Sequence, residues 1–296
     1  KIPNHREREN GFFNMLLYGK PASADYLPIT KYTIDGANII VDRYIDEDTT
    51  VQQRFAINTI TSNTASIGQF IIKKTYWLGT DAFGRDILSR LIIGTRVSLA
   101  VGLIAVLISL TIGILLGALA GYYRGWVDEA IMWLVNITWS IPTLLLVFAI
   151  TMALGKGFWQ IFIAVGLTLW VSVARLVRGQ VLALKEMEYI QAARALGFSN
   201  GRIILRHILP NITGPLMVIA AGNFATAIII EAGLSFLGIG VQPPQPSWGL
   251  MIKENYNFII THNPMLALIP GIAIMLLVLA FNLLGNGLRD AVDVKE

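Results

Sequence analysis

The sequence contains no cysteine. Disulfide frameworks, thiolate nucleophiles and cysteine metal sites are excluded together, although the absence says nothing about compartment. Its three histidines, His5, His207 and His262, are scattered and have no HExxH or carboxylate grouping beside them, so no metal site is expected. Charge is also scarce. Charged residues make up 14% of the chain and hydrophobic residues 54%, with a mean hydropathy of +0.61, against roughly 25% and roughly 45–50% in soluble domains. That balance excludes an ordinary soluble domain. The net charge of +4 does not argue for nucleic acid, because in a multispanning chain the placement of cations matters more than their sum. There is no internal repeat, no low-complexity tract and no secretory n-region or cleavage pattern at the start.

What the chain has instead is long uncharged runs. Between Arg96 and Arg124 no charged residue occurs, which exceeds the ~20 residues a helix needs to cross ~30 Å of hydrocarbon. Gly113, Gly117 and Gly121 fall at i, i+4 and i+8 on one face of that run, a small-residue stripe that allows close helix approach. Spans are expected at about 97–121, 130–153, 157–177, 210–232 and 264–287. The second should be kinked at Pro142, and Trp159 and Trp170 sit near the ends of the third like interfacial anchors. An all-α polytopic membrane protein with five visible spans follows.

The short loops give an orientation. Residues 175–206 hold Arg175, Arg178, Lys185, Arg194, Arg202 and Arg206, whereas the opposite short loops, around Lys156 and from Gly238 to Asn263, hold only Lys156 and Lys253. By the positive-inside rule residues 175–206 and the C-terminal end are cytoplasmic and residues 1–95 outside. An odd span count then implies a sixth, N-terminal helix absent from this sequence; the alternative is a cytoplasmic 1–75, which inverts every loop. Residues 1–75 read as a small extracytoplasmic region, a cover or a ligand site, with a hairpin turn at Asp35-Gly36. Residues 76–296 form the transmembrane domain.

The stretch QAARALGFSNGRIILRHILPN, residues 191–211, interrupts the apolar chain with three arginines and a histidine. Val181 to Leu196 reads as one helix, Gly197 as its C′ residue, Gly201 to Ile208 as a second short helix capped by Ser199 or Asn200, and Pro210 as the opening of the next span. A cytoplasmic helical hairpin over 181–209 results, with Ala192 and Ala193 exposed for close approach. Its arginines suit either an acidic or carbonyl-rich partner or anionic lipid headgroups.

Other candidates are weaker. GTDAFGR, residues 79–85, lacks the lysine and hydroxyl residue of a phosphate loop; Asp81, Arg85, Asp86 and Arg90 are expected to cap and cross-link an amphipathic helix. Glu231 lies at the end of a span and Trp248 beyond a proline-rich run, Pro243 to Pro246. Either residue is a possible pathway or gate contact, and a structural partner for Glu231 is equally consistent. The proline run is either a re-entrant turn or a rigid connection. Asn136, Ser140 and Asn223 either line an aqueous path or bind helices.

Residues 191–210 resemble the cytoplasmic "EAA" loop of ABC importer permeases, through Gln191-Ala192-Ala193, Gly197 and His207-Ile208-Leu209-Pro210. Gln replaces the family's Glu at 191 and His its first Ile at 207. LGTDAFGRDILSRLIIGTRVSL (78–99) and EAGLSFLGIGVQPPQPSWGLM (231–251) are similar to signatures of the dipeptide, oligopeptide and nickel permeases, C-type subunit. The resemblance covers about residues 76–292. It implies a type I ABC importer permease fold with six spans in a prokaryotic plasma membrane. It also implies a homologous permease partner, two cytoplasmic ATPases that carry ATP-Mg, and an extracytoplasmic binding protein. No cofactor or catalytic residue is implied in this chain. Gln191, Ala192, Ala193, Arg194, Gly197, Arg202 and Pro210 would form the ATPase-coupling loop, with peptide as cargo or, alternatively, nickel or another small solute. An ion-coupled secondary transporter would need midplane ionisable groups and repeated broken helices, and an intramembrane hydrolase a placed base. Neither pattern is visible.

Overall fold

The structure, a computed structural model, describes residues 2–3, 24–25, 27–46, 49–60, 71–73, 75–81, 83–155, 157–243, 245–259 and 263–292. The chain divides into two compact units, residues 1–97 with 254–267, and residues 98–253 with 268–296.

In the first unit a short antiparallel pair, β1 (Ile2–Pro3) and β2 (Ala24–Asp25), accompanies a three-stranded meander of β3 (Ile29–Asp35), β4 (Asn38–Asp46) and β5 (Thr49–Ala56). Ile39, Val41 and Ile57 are buried, with Leu27, Ile29, Phe55 and Ile71 packed against them. The hairpin turn is displaced by one residue from the sequence expectation. Asp35 pairs with Asn38, so Gly36 and Ala37 are central. Only Gly36 has positive φ, +56°, the II′ pattern with glycine first. The third strand, TTVQQRFA, was not anticipated, because its polar alternation carries little hydrophobic signal.

Asp81 and Arg85 pair at i, i+4 as expected but ahead of the expected helix rather than on it, and Asp86 caps its start. Phe83 N and Arg85 N donate to Asp81 Oδ1, both at 2.9 Å. Leu88 N and Ser89 N donate to the two carboxylate oxygens of Asp86 at 3.2 Å, which caps α1 (Ile87–Tyr123). Arg85 Nε donates to Asp81 Oδ2 at 2.7 Å, and Arg90 bonds the same oxygen. Glu254 Oε2 accepts from Arg85 at 2.6 Å and from Arg90 at 2.8 Å. Two cations thus share two largely buried carboxylates, and the second lies too far along the chain for any i, i+4 argument to find it.

The second unit is helical. After α1 come α2 (Gly125–Ser140), α3 (Thr143–Leu154), α4 (Phe158–Lys185), α5 (Glu188–Ala195), α6 (Asn200–Ile203), α7 (Thr213–Phe236), α8 (Trp248–Asn255) and α9 (Met265–Val292). The glycine stripe of α1 meets α4. A Cβ at Gly113 would lie 2.4 Å from Val173 Cβ, one at Gly117 would lie 2.5 Å from Ala174 O, and one at Gly121 would lie 2.8 Å from Val181 Cβ. Only glycine permits that backbone separation.

Between α2 and α3 the expected kink is a 96° break. Pro142 supplies no N–H and forces Ile141 into extended backbone, φ −94° and ψ 129°. At ~1.5 Å per residue neither piece alone reaches ~30 Å. Four helical stretches, Ile87–Tyr123, Phe158–Lys185, Asn200–Phe236 and Met265–Ala291, are long and apolar enough to cross a membrane, or five spans if the bent pair counts as one.

Candidate functional site

The segment from Glu186 to Ile212 joins α4 to α7, and it departs from the single helix expected over Val181 to Leu196. Helix α4 stops at Lys185. Glu186 N and Met187 N donate to Ala183 O and Leu184 O at 3.3 and 3.0 Å, a tightened last turn. Met187 is then extended, φ −70° and ψ 142°, before α5 begins. No glycine or proline marks this corner. Three bonds accompany it: Arg124 Nη2 donates to Glu186 Oε1 at 2.7 Å, Lys185 Nζ to Tyr122 O at 2.7 Å, and Gln191 Nε2 to Glu186 O at 3.0 Å.

The exit from α5 follows its sequence signal. Gly197 has φ +80°, Gly197 N donates to Arg194 O at 2.9 Å, and Phe198 N to Ala193 O at 3.1 Å. These are the two bonds of a Schellman closure. Beyond Ser199, which makes no side-chain cap bond, the chain remains helical into α7 through α6, a π turn (Ile204–Ile208) and a 3-10 turn (Leu209–Ile212). The separate short helix expected before Pro210 is therefore fused to the following one. Pro210, which has no N–H to donate, lies inside this continuous stretch, at the change from the π turn to the 3-10 turn.

Ile190, Ala193, Ile203, Ile208 and Ile212 are buried together with Ala118 and Tyr122 of α1 and Val173, Val177 and Val181 of α4. Ala193 was expected on the surface. It is 5% exposed, because it packs in the same cluster as Ile190, Ile203 and Ile208, with Phe198 against it. Gln191, Ala192, Arg194, Gly197, Arg202 and Pro210 are exposed, as are Leu196 and Leu205. Arg202 stacks on Phe198 at 4.3 Å, Phe198 on His207 at 5.9 Å, and Tyr122 Oη donates to Asn200 Oδ1 at 2.8 Å. Gln191 and Arg194, with Lys185, Glu186 and Ala195, line a cavity of about 410 Å³. His5, His262, Lys156 and Pro244 lie outside the described residues.

Glu231 and Trp248 are both buried, at 0% and 3% exposure. Ser235 Oγ donates to Glu231 Oε1 at 2.7 Å and accepts from Val241 N at 3.0 Å, so the carboxylate organises the turn that follows α7. Ser247 N-caps α8 by accepting from Leu250 N at 3.1 Å. A Cβ on Gly249 would stand 2.2 Å from Ala232 O, which brings α8 against α7 and seats Trp248 in the packed interior. Asn223 is buried, and Asn136 and Ser140 are exposed.

The arrangement is a membrane domain whose cationic surface element is built into the same apolar cluster as its longest helices. Residues 113–295 match the family described as "binding-protein-dependent transport system inner membrane component". The chain belongs to this family. Among relatives of this binding-protein-dependent permease, the glutathione transport system permease protein GsiD of Pectobacterium atrosepticum is 46% identical over 220 residues, 74% of this chain and 73% of that protein. The dipeptide transport system permease protein DppC of Alkalihalophilus pseudofirmus is also 46% identical, over 74% of this chain and 72% of its own length. An inward-facing structure of the MetNI methionine ABC transporter superposes with a TM-score of 0.58 at 21% identity, covering 70% of this chain and 97% of that one. The permease thus has the type I ABC importer fold, and its work is transport through a membrane.

Proposed function

We propose that this permease forms, with a homologous subunit, the translocation path of an ATP-driven importer of di- or oligopeptides in a prokaryotic inner membrane. Two separate ATPase subunits dock on the 186–212 element, and an extracytoplasmic binding protein delivers cargo. The single observation that carries the coupling role is the construction of that element. Its buried side is continuous with α1 and α4, and from Asn200 its chain continues into α7 without leaving helical conformation, so a push on its exposed side moves spans rather than deforming a loop. The exposed side offers Ala192, Leu196 and Leu205 among Arg194, Arg202 and Arg206. Peptide as cargo rests on the relatives named for glutathione and dipeptide transport.

The test is co-purification of the full-length permease in mild detergent, together with peptide-dependent ATPase activity. The unaltered permease is expected to bring down a second permease and ATPases. Leu196→Glu, on a side chain 74% exposed, should lose the ATPases while keeping the second permease. A permease that purifies alone and still transports would overturn the reading.

A further inference from the structure

Two arginines follow one another up α4, and their surroundings differ. Arg178 is neutralised: Nε and Nη2 donate to the two carboxylate oxygens of Asp128 at 2.5 and 2.6 Å. Arg175, one turn away, has no carboxylate partner among the described residues. Its Nη2 donates to Asn136 Oδ1 at 2.8 Å, and its Cζ sits 3.4 Å from the centroid of the Trp139 ring. Asn136 takes one of the five N–H donors of the guanidinium, and the buried Nε has no partner among the described residues. A half-buried guanidinium on a span is costly unless water or an anion completes it.

The side on which Arg175 lies is polar. Thr168, Ser172, Arg175 and Gly179 recur at i, i+4, i+7 and i+11 on α4, a stripe about 16 Å long at ~1.5 Å per residue. Ser172 Oγ donates to Leu169 O at 2.8 Å and lies 3.3 Å from Asn223 Oδ1, which places the stripe beside α7. Asn136 and Ser140 of α2 are exposed on their own helix. By contrast α9 exposes Leu268, Ile272, Leu276, Leu279 and Leu283, a face fit for lipid tails. A ring and an amide that hold a planar guanidinium also pre-orient its remaining donors for a carboxylate.

We infer that Arg175, held by Asn136 and Trp139, is a carboxylate-recognising station on the translocation path, which receives the acidic side-chain carboxylate of passing cargo. This rests on the importer reading above and adds a charge-selective residue to it. Ser172, exposed on the same stripe, is the neutral polar step beside Arg175, whereas Thr168 is buried and its Oγ1 donates to Ala164 O at 2.9 Å.

The test uses the assembled transporter in liposomes, with Arg175→Gln and Arg175→Lys, in zwitterionic lipid and again with added anionic lipid. Uptake is compared for a dipeptide with an acidic side chain and one with a basic side chain. Arg175→Gln is expected to lower acidic-dipeptide uptake per ATP hydrolysed at least tenfold in both lipids. The acidic-to-basic uptake ratio should fall at least fivefold, and Arg175→Lys should restore part of it. An unchanged ratio would make Arg175 merely structural and overturn the inference. So would an effect seen in only one lipid, which would assign the cation to a headgroup, or loss of the homologous permease from the complex, which would assign it to a carboxylate of that subunit. Absence of ATP-dependent uptake by the unaltered transporter would sink the importer reading itself.

Discussion

Ala192 and Ala193 are neighbours in the chain with opposite surroundings, one exposed and one 5% exposed within the Ile190, Ile203, Ile208 cluster. Their substitutions should therefore separate docking from stability. Ala193→Asp places a charge where nothing compensates it, and is expected to cost about 3 kcal/mol or more, seen as a lowered unfolding midpoint in detergent by tryptophan fluorescence. Ala192→Asp should leave that midpoint unchanged and reduce only ATPase coupling. Equal midpoints for the two variants would refute the burial difference. The same pair shows what the sequence can and cannot disclose. Gly197 was readable as a helix end because left-handed backbone selects glycine. The burial of Ala193 was not, because alanine serves equally on a surface and in a core, and helix periodicity was misphased by a corner at Glu186 and Met187 that carries no breaker residue. Glu254 as the partner of Arg85 and Arg90 was beyond local reading for the simplest reason: its partners are more than 160 residues away.

At the scale of elements, the α1–α4 seam was legible where single breaker or small residues act alone. The i, i+4, i+8 glycines required only one face and a close neighbour, and α4 supplies it. Gly117→Ala should push the helices apart, since the new methyl would meet Ala174 O at 2.5 Å and Val177 Cβ at 2.8 Å, with an overpacking cost of about 1–3 kcal/mol. Gly222→Ala on α7 has no atom within 4 Å of the added Cβ, and its better helix propensity makes it neutral or stabilising by up to about 1 kcal/mol. Thermal unfolding of both in one detergent checks the pair, and a Gly117→Ala midpoint equal to or above that of Gly222→Ala would contradict the seam. Proline at 142 was legible as a disturbance but not as a right angle, because the missing N–H fixes where a helix stops and its neighbours decide where the next one goes.

Across the whole molecule, the distribution of cations predicts the orientation, and the absence of cysteine makes it testable with unique labels. Arg178 and Arg124 are paired to Asp128 and Glu186, yet the sidedness rule counts lysines and arginines near span ends whether or not they are paired, so those bonds do not weaken the argument. Asp35→Cys, in the hairpin turn, and Lys253→Cys, on α8, should react with a membrane-impermeant maleimide on intact cells. Leu196→Cys, expressed without the ATPases so that nothing covers it, should react only after permeabilisation. All three positions are exposed, so silence from intact cells reports sidedness rather than burial. Labelling of Leu196→Cys from outside, with Asp35→Cys and Lys253→Cys protected, would invert the molecule and put the 186–212 element where no cytoplasmic ATPase can reach it, removing the coupling proposal together with the orientation.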